Sequence, residues 1–265
     1  MSPVETQPEI RGVEPLAPPP RRGDELGIMS FTQHLEELRK TLFFMIGVAG
    51  VAATGGWFLA PKILDLVVTP KLEKVYFSSP SEGFMIQMKV SLVFGGMVAL
   101  PLLLGRLWSF VAPGLFKHER RAVVPILVAG AILFYGGTVF AFYTVVPRMV
   151  EFFLSFAGSR ITPLINVTEY FMFVAKFSLA FGLAFQLPLV IVLLAALGVV
   201  TPKQLWAQWR YGVIIIFIIS AWLTPPDAVS QVMMGAPLVV LYMLSILVAV
   251  VVARRRRKRL SAEPR

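Results

Sequence analysis

The sequence predicts an all-α membrane protein with six transmembrane helices. Three observations carry this reading. Of 265 residues, 57% are hydrophobic and 15% charged, against about 45–50% and about 25% in soluble domains. Mean hydropathy is +0.75. The apolar residues come in long unbroken runs, not in the alternation of an outer-membrane barrel strand. An ordinary soluble enzyme and a disordered chain are excluded on the same grounds.

Residues 1–29 are polar and proline-rich, with Pro18, Pro19 and Pro20 in a row. They read as a disordered tail. They hold no apolar region of the kind a signal peptide needs. Ser30 and Gln33 fit a capping box, and Phe31, Leu35, Leu38 and Leu42 share one helical face leading into the first span.

A span needs about 20 apolar residues to cross about 30 Å of hydrocarbon. The candidates are Thr41–Ala60, Val90–Ala112, Ala122–Val146, Tyr170–Val200, Tyr211–Leu223 and Val229–Val252. The fourth is expected to tilt or kink at Pro188. The fifth is short, and Thr224-Pro225-Pro226-Asp227 must turn the chain into the sixth. Helices five and six then form a hairpin whose turn sits below the membrane surface or thins the bilayer. The domain reading is a 1–29 tail, a 30–252 membrane domain and a 253–265 basic tail.

Six spans put both termini on one side. Most of the 25 lysines and arginines fall in 1–40, 113–121, 201–210 and 254–265, all on that side. The positive-inside rule makes it the cytoplasm. The run Arg254 to Arg259 reads as a topology anchor that also binds anionic lipid, not nucleic acid.

Cysteine is absent and histidine occurs only at His34 and His118. No metal cluster or thiol chemistry is expected. No P-loop occurs, and mid-span Ser178 and Ser220 lack a base that spacing would pair with them. No catalytic site, metal or cofactor is therefore assigned. The span centres hold no Asp, Glu or His, which counts against an ion-coupled carrier. Lys89, Arg106 and Lys176 fit stems that snorkel to an interface.

Gln186 stands out mid-span, two residues before Pro188. Its amide needs partners that lipid cannot supply. It either bonds locally to backbone or reaches another helix, in this chain or a partner. Pro101, Pro125, Pro188 and Pro237 bend helices. They are ordinary kinks, or they shape a concave, cup-like bundle with a groove.

Glu36 can pair with Lys40 at i, i+4, which leaves Glu37 available. Glu119 lies within Lys117-His118-Glu119-Arg120-Arg121. These carboxylates either neutralise basic neighbours or form a site for a cationic ligand, since carboxylates meet arginine bidentately.

Three separated stretches resemble one family. They are Gln33-His34-Leu35-Glu36-Glu37-Leu38-Arg39-Lys40, then Leu107 to Arg121, then Leu223-Thr224-Pro225-Pro226-Asp227 with Gln231. Together they resemble TatC, the multispanning subunit of the twin-arginine protein translocase, from about residue 30 to about 252. The resemblance implies a cup-shaped six-helix fold in the cytoplasmic membrane, its sixth helix short like the fifth, and recognition of twin-arginine signal peptides on folded precursors. It also implies drive by the proton motive force. Signal binding maps onto Glu37 and Glu119, with Arg39, Phe110, His118 and Arg120 around them. Pro70 and Pro113 match structural positions, and Asp227 and Gln231 match the far side. Gln186 and Pro188 would meet single-span TatA-like and TatB-like partners, and self-association is implied. The family often carries glutamate where this chain has Gln186, so a titrating group is missing there. The alternative is a small-molecule transporter, for which only Gln186 offers a midplane polar group.

Overall fold

In hydrocarbon, a backbone that is not helical or otherwise paired has no water to bond to. The computed structural model shows the described spans helical apart from a two-residue break in the fourth. It describes residues 31–68, 75–111, 120–157 and 162–262. The Ser30 cap, the 1–29 tail, Pro70, Pro113, His118 and Glu119 lie outside them. The side chains of Glu37, Phe110 and Arg120 are likewise not described. The chain divides into two compact units, 1–42 and 43–265.

The helices are α1 (Phe31–Val68), α2 (Glu82–Val111), α3 (Arg120–Phe140), α4 (Val146–Leu154), α5 (Val167–Ala184), α6 (Leu187–Leu197), α7 (Pro202–Ala207), α8 (Trp209–Leu223) and α9 (Ala228–Ala262). A π turn, Ala141–Val145, joins α3 to α4. Among the described residues there is no β-strand, only one parallel bridge between Tyr76 and Asn166. Five helical segments are long and apolar enough to cross a membrane, and α8 is a shorter apolar helix. The six-helix expectation is met.

Several span limits differ from the sequence reading, each for a backbone reason. The first helix does not stop at Ala60 but runs through Pro61 to Val68. Pro61 has no N–H to give the carbonyl of Trp57 four residues earlier. That carbonyl instead accepts a bond from Gln87 Nε2 of α2 at 3.2 Å. The second helix starts at Glu82 rather than Val90, so Gln87 lies inside the span.

In the third span the π turn falls directly before Pro147, which cannot donate. The Val146 amide closes a wider turn onto the Ala141 carbonyl. The fourth span is not a bent rod at Pro188. It breaks at Phe185 and Gln186, and α6 restarts with Pro188 in its first turn, where a missing N–H costs nothing. Gly198, at φ 80°, ends α6 in the left-handed conformation.

The fifth helix is short as expected: 15 residues, about 22 Å at about 1.5 Å per residue. The sixth is not short. α9 runs 35 residues with Pro237 inside it. Arginine and lysine are good helix formers, so the Arg254 to Arg259 run continues the helix instead of ending it.

The core lies where α3, the π turn and α5 cross, around Ala141, Val145, Met149, Phe177 and Phe181, with Phe134 buried beside Gly182. Glycine permits the crossing. A Cβ at Gly137 would lie 2.6 Å from the Phe181 carbonyl oxygen and 2.7 Å from Phe185 Cγ, whereas one at Gly136 would meet nothing within 4 Å. Gly95 lets α2 approach the α1 backbone at Ala49 and Ala53 in the same way. Small residues drive helix association where lipid removes the hydrophobic force.

Away from the family-like stretches of 107–121, the α1–α2 and α4–α5 connections are tied together. The Tyr76 amide donates to the Ile165 carbonyl at 3.0 Å and the Val167 amide to the Tyr76 carbonyl at 3.1 Å. Asn166 caps α5 and donates through Nδ2 to Ser78 Oγ at 2.7 Å. The buried Glu82 carboxylate accepts from the Ser78 amide. Tyr170 Oη donates to the Val67 carbonyl in the last turn of α1 at 3.3 Å.

These contacts predict a contrast between adjacent glycines. Gly137→Ala will lower unfolding stability in detergent by about 1–3 kcal/mol, the usual cost of overpacking, and Gly136→Ala will leave it within about 0.5 kcal/mol. Thermal or denaturant unfolding of the two variants checks this.

Candidate functional site

The polar groups of the sequence reading fall in three places. The first is the start of α1. Glu36 and Lys40 form an exposed ion pair at 2.8 Å. The Lys40 ammonium, by hydrogen bond and then by charge, holds the Glu36 carboxyl below the ordinary range. Arg39 is exposed on the same helix. Glu37 is the next residue of this turn.

The second place is the α2–α3 connection. Phe110 is the penultimate residue of α2, and Arg120 opens α3. The segment between them carries Pro113, His118 and Glu119. The helices therefore fix both ends of the stretch that resembles the family's first loop.

The third place is a set of glutamines in the spans. Gln186 is 4% exposed and donates from Nε2 to the Gly130 carbonyl of α3 at 2.9 Å. Of the alternatives in the sequence, the donor side takes the link to another helix of the same chain. Its Oε1 is buried without a partner. Gln231 of α9 donates to the Phe217 carbonyl of α8 at 3.0 Å. Gln87 makes the third such link, from α2 to α1. The sequence reading missed Gln87 because it began the second span three residues later. The orphaned Trp57 carbonyl beside Pro61 was the available signal.

At the α8–α9 turn, Asp227 Oδ1 accepts from the Ser230 amide at 2.7 Å and so caps α9. Thr224 Oγ1 donates to the Ser220 carbonyl at 2.9 Å and helps close α8. Asp227 and Gln231 therefore brace the hairpin, one at its tip and one between its helices. Asp227 Oδ2 and Ser230 Oγ remain buried without partners.

Between α1, α2, the α3–π segment and α5 lies an apolar cavity of about 250 Å³, lined among others by Val67, Val93, Phe94, Phe142, Phe171 and Val174. Thr138, Tyr143 and Ser178 are its hydroxyl-bearing lining residues. It suits an aliphatic or aromatic group. Among the described residues no cluster of His, Asp or Glu could hold a metal.

Comparison with known proteins identifies the arrangement. The family model described as "TatC: Sec-independent protein translocase protein (TatC)" matches residues 33–237. The chain belongs to the TatC family. A Sec-independent protein translocase protein TatC from Helicobacter pylori (strain J99 / ATCC 700824) is 37% identical over 216 residues, spanning 82% of this chain and 87% of that protein. The TatC of Carboxydothermus hydrogenoformans is 35% identical over 225 residues, spanning 83% and 93%. Among solved structures, a "Crystal Structure of Twin Arginine Translocase Receptor- TatC" superposes with a TM-score of 0.74 at 34% identity, covering 83% of this chain and 99% of that one. The family match spans all three motif stretches up to Gln231.

The glutamine links predict an order of damage. Gln87→Leu leaves the Trp57 carbonyl with no donor and will cost about 1–3 kcal/mol. Gln231→Leu removes a bond from a carbonyl inside a regular helix and will cost about 0.6 kcal/mol, the average for interhelical bonds in membranes. Unfolding of both variants in the same detergent tests the order.

Proposed function

We propose that this chain is the receptor and scaffold subunit of a twin-arginine translocase in the cytoplasmic membrane, with both termini in the cytoplasm. The observation that carries the reading is the match to a solved twin-arginine translocase receptor at 34% identity over 83% of the chain. The basic residues concentrate in the terminal tails and the even-numbered connections, which supports the orientation.

Glu37 and Glu119 are the groups that read the arginine pair. Each carboxylate accepts two parallel N–H bonds from one guanidinium, a fit that lysine cannot reproduce. Arg39, Phe110, His118 and Arg120 complete the proposed signal-binding set. Pro70 and Pro113 are proposed as structural positions of the first and second connections. Glu36 is committed to Lys40, which supports Glu37 as the available carboxylate of that turn.

The apolar part of the signal peptide then enters the cavity beside α2 and α5, whose lining is almost wholly hydrocarbon. Single-span TatA-like and TatB-like subunits pack along the fourth span near Gln186 and Pro188 and along the α8–α9 hairpin braced by Asp227 and Gln231. Copies of the chain associate within the assembled translocase, and the proton motive force drives transport. The basic end of α9 binds anionic lipid. The subunit is assigned no catalytic role. A small-molecule transporter is not favoured: the family match and the apolar cavity both speak against it.

The test is binding of a signal peptide with Arg-Arg, and of its Lys-Lys version, to the purified chain. Arg-Arg is expected to bind at least about tenfold better, as two charge-assisted bidentate contacts are lost with lysine. Glu37→Ala or Glu119→Ala will each remove most of that preference. Equal binding of the two peptides, unchanged by either substitution, would overturn the site assignment.

A further inference from the structure

The fourth span carries one charge that nothing above uses. Lys176 lies in α5, within the span Val167–Ala195. It is about 14 Å beyond Val167 at about 1.5 Å per residue, and it is exposed. Tyr170, bonded to the last turn of α1, lies about 9 Å nearer the helix start. Among the described residues no carboxylate forms an ion pair with Lys176. The nearest acidic residue before it on the helix is Glu169, two turns earlier at the first turn of α5.

The face around Lys176 is also uncovered. Met172 and Leu183 are exposed one turn before and two turns after it, and Leu179 and Ala180 between them are partly exposed. These positions recur every three to four residues and so form one stripe along the helix. Ala180 is small, which lets a neighbouring backbone come close. A lysine inside hydrocarbon is costly unless paired, and such residues mark functional contacts. A lipid phosphate sits at headgroup level, outside the hydrocarbon into which this stripe extends. A carboxylate buried in another span has the opposite charge and the same need for a partner.

We propose that the Met172–Lys176–Leu183 face of α5 docks a second transmembrane helix that carries a carboxylate at the depth of Lys176, the two charges neutralising each other within the membrane. This rests on the reading above that the chain assembles with single-span subunits. It adds a chemical criterion for the one that sits here. Gln186 cannot supply it, since its donor side is already held by Gly130.

The test uses the full chain in phosphatidylcholine vesicles with a labelled leucine–alanine transmembrane peptide. The peptide carries a single Glu about a third of the way along, and a control carries Gln at the same place. Energy transfer from a donor on the chain reports association. The Glu peptide is expected to associate at least about fivefold better than the Gln peptide. Lys176→Met will abolish the difference and Lys176→Arg will keep it. Lys176→Glu will transfer the preference to a peptide with Lys at the matching position, which excludes misfolding as the cause. Equal association of the Glu and Gln peptides would overturn the proposal. So would a Glu preference that survives Lys176→Met. A third contrary result is a Lys176 effect seen only as enrichment of phosphatidylglycerol, which would make the lysine a lipid anchor. The peptides contain no twin-arginine motif, so failure here leaves signal recognition untouched.

Discussion

The bond between Gln87 and the Trp57 carbonyl states the rule on which this structure depends. A proline in a membrane helix orphans a carbonyl, and lipid offers it no donor. Here the neighbouring helix supplies one, at 3.2 Å. Two other prolines meet the same demand differently. Before Pro147 the ladder widens into a π turn. At Pro188 the helix simply starts again, with the proline where no donor is required. Together these solutions allow helices that a straight bundle would not accommodate.

Packing then turns these irregular helices into a defined frame. Gly137 and Gly182 bring α3 and α5 into near backbone contact, and Phe134, Phe177 and Phe181 fill the crossing. The ties among Tyr76, Ser78, Glu82 and Asn166 close one end of that frame. The frame leaves an apolar cavity on one side of α5 and fixes the ends of the α2–α3 connection. Function in this account belongs to short polar stretches carried by a rigid apolar body. That is why few charged groups are needed and why their positions matter.

The class, the helix count and the short fifth helix were legible because they depend on composition and run length. The Glu36–Lys40 pair was legible because i, i+4 spacing alone decides it. Residues whose role depends on a partner far along the chain were not. Gln87 gains its meaning from Pro61, about 25 residues away on another helix. The break at Gln186 is set jointly by Pro188 and by the Gly130 carbonyl on α3. The extent of α9 was misjudged because a run of arginines signals the end of a membrane span but not the end of a helix. The proposed recognition residues came from the family resemblance alone, since side-chain spacing in those stretches carries little geometric information by itself.

The proposed receptor role requires the signal's arginine pair to meet residues 33–40 and 107–121. A signal peptide with a photoreactive residue beside its arginines, bound to the full chain in membranes and irradiated, tests this most directly. Mass spectrometry of the adducts should place them within 33–40 and 107–121. Adducts confined to 75–81 or to the 224–231 turn would contradict the account.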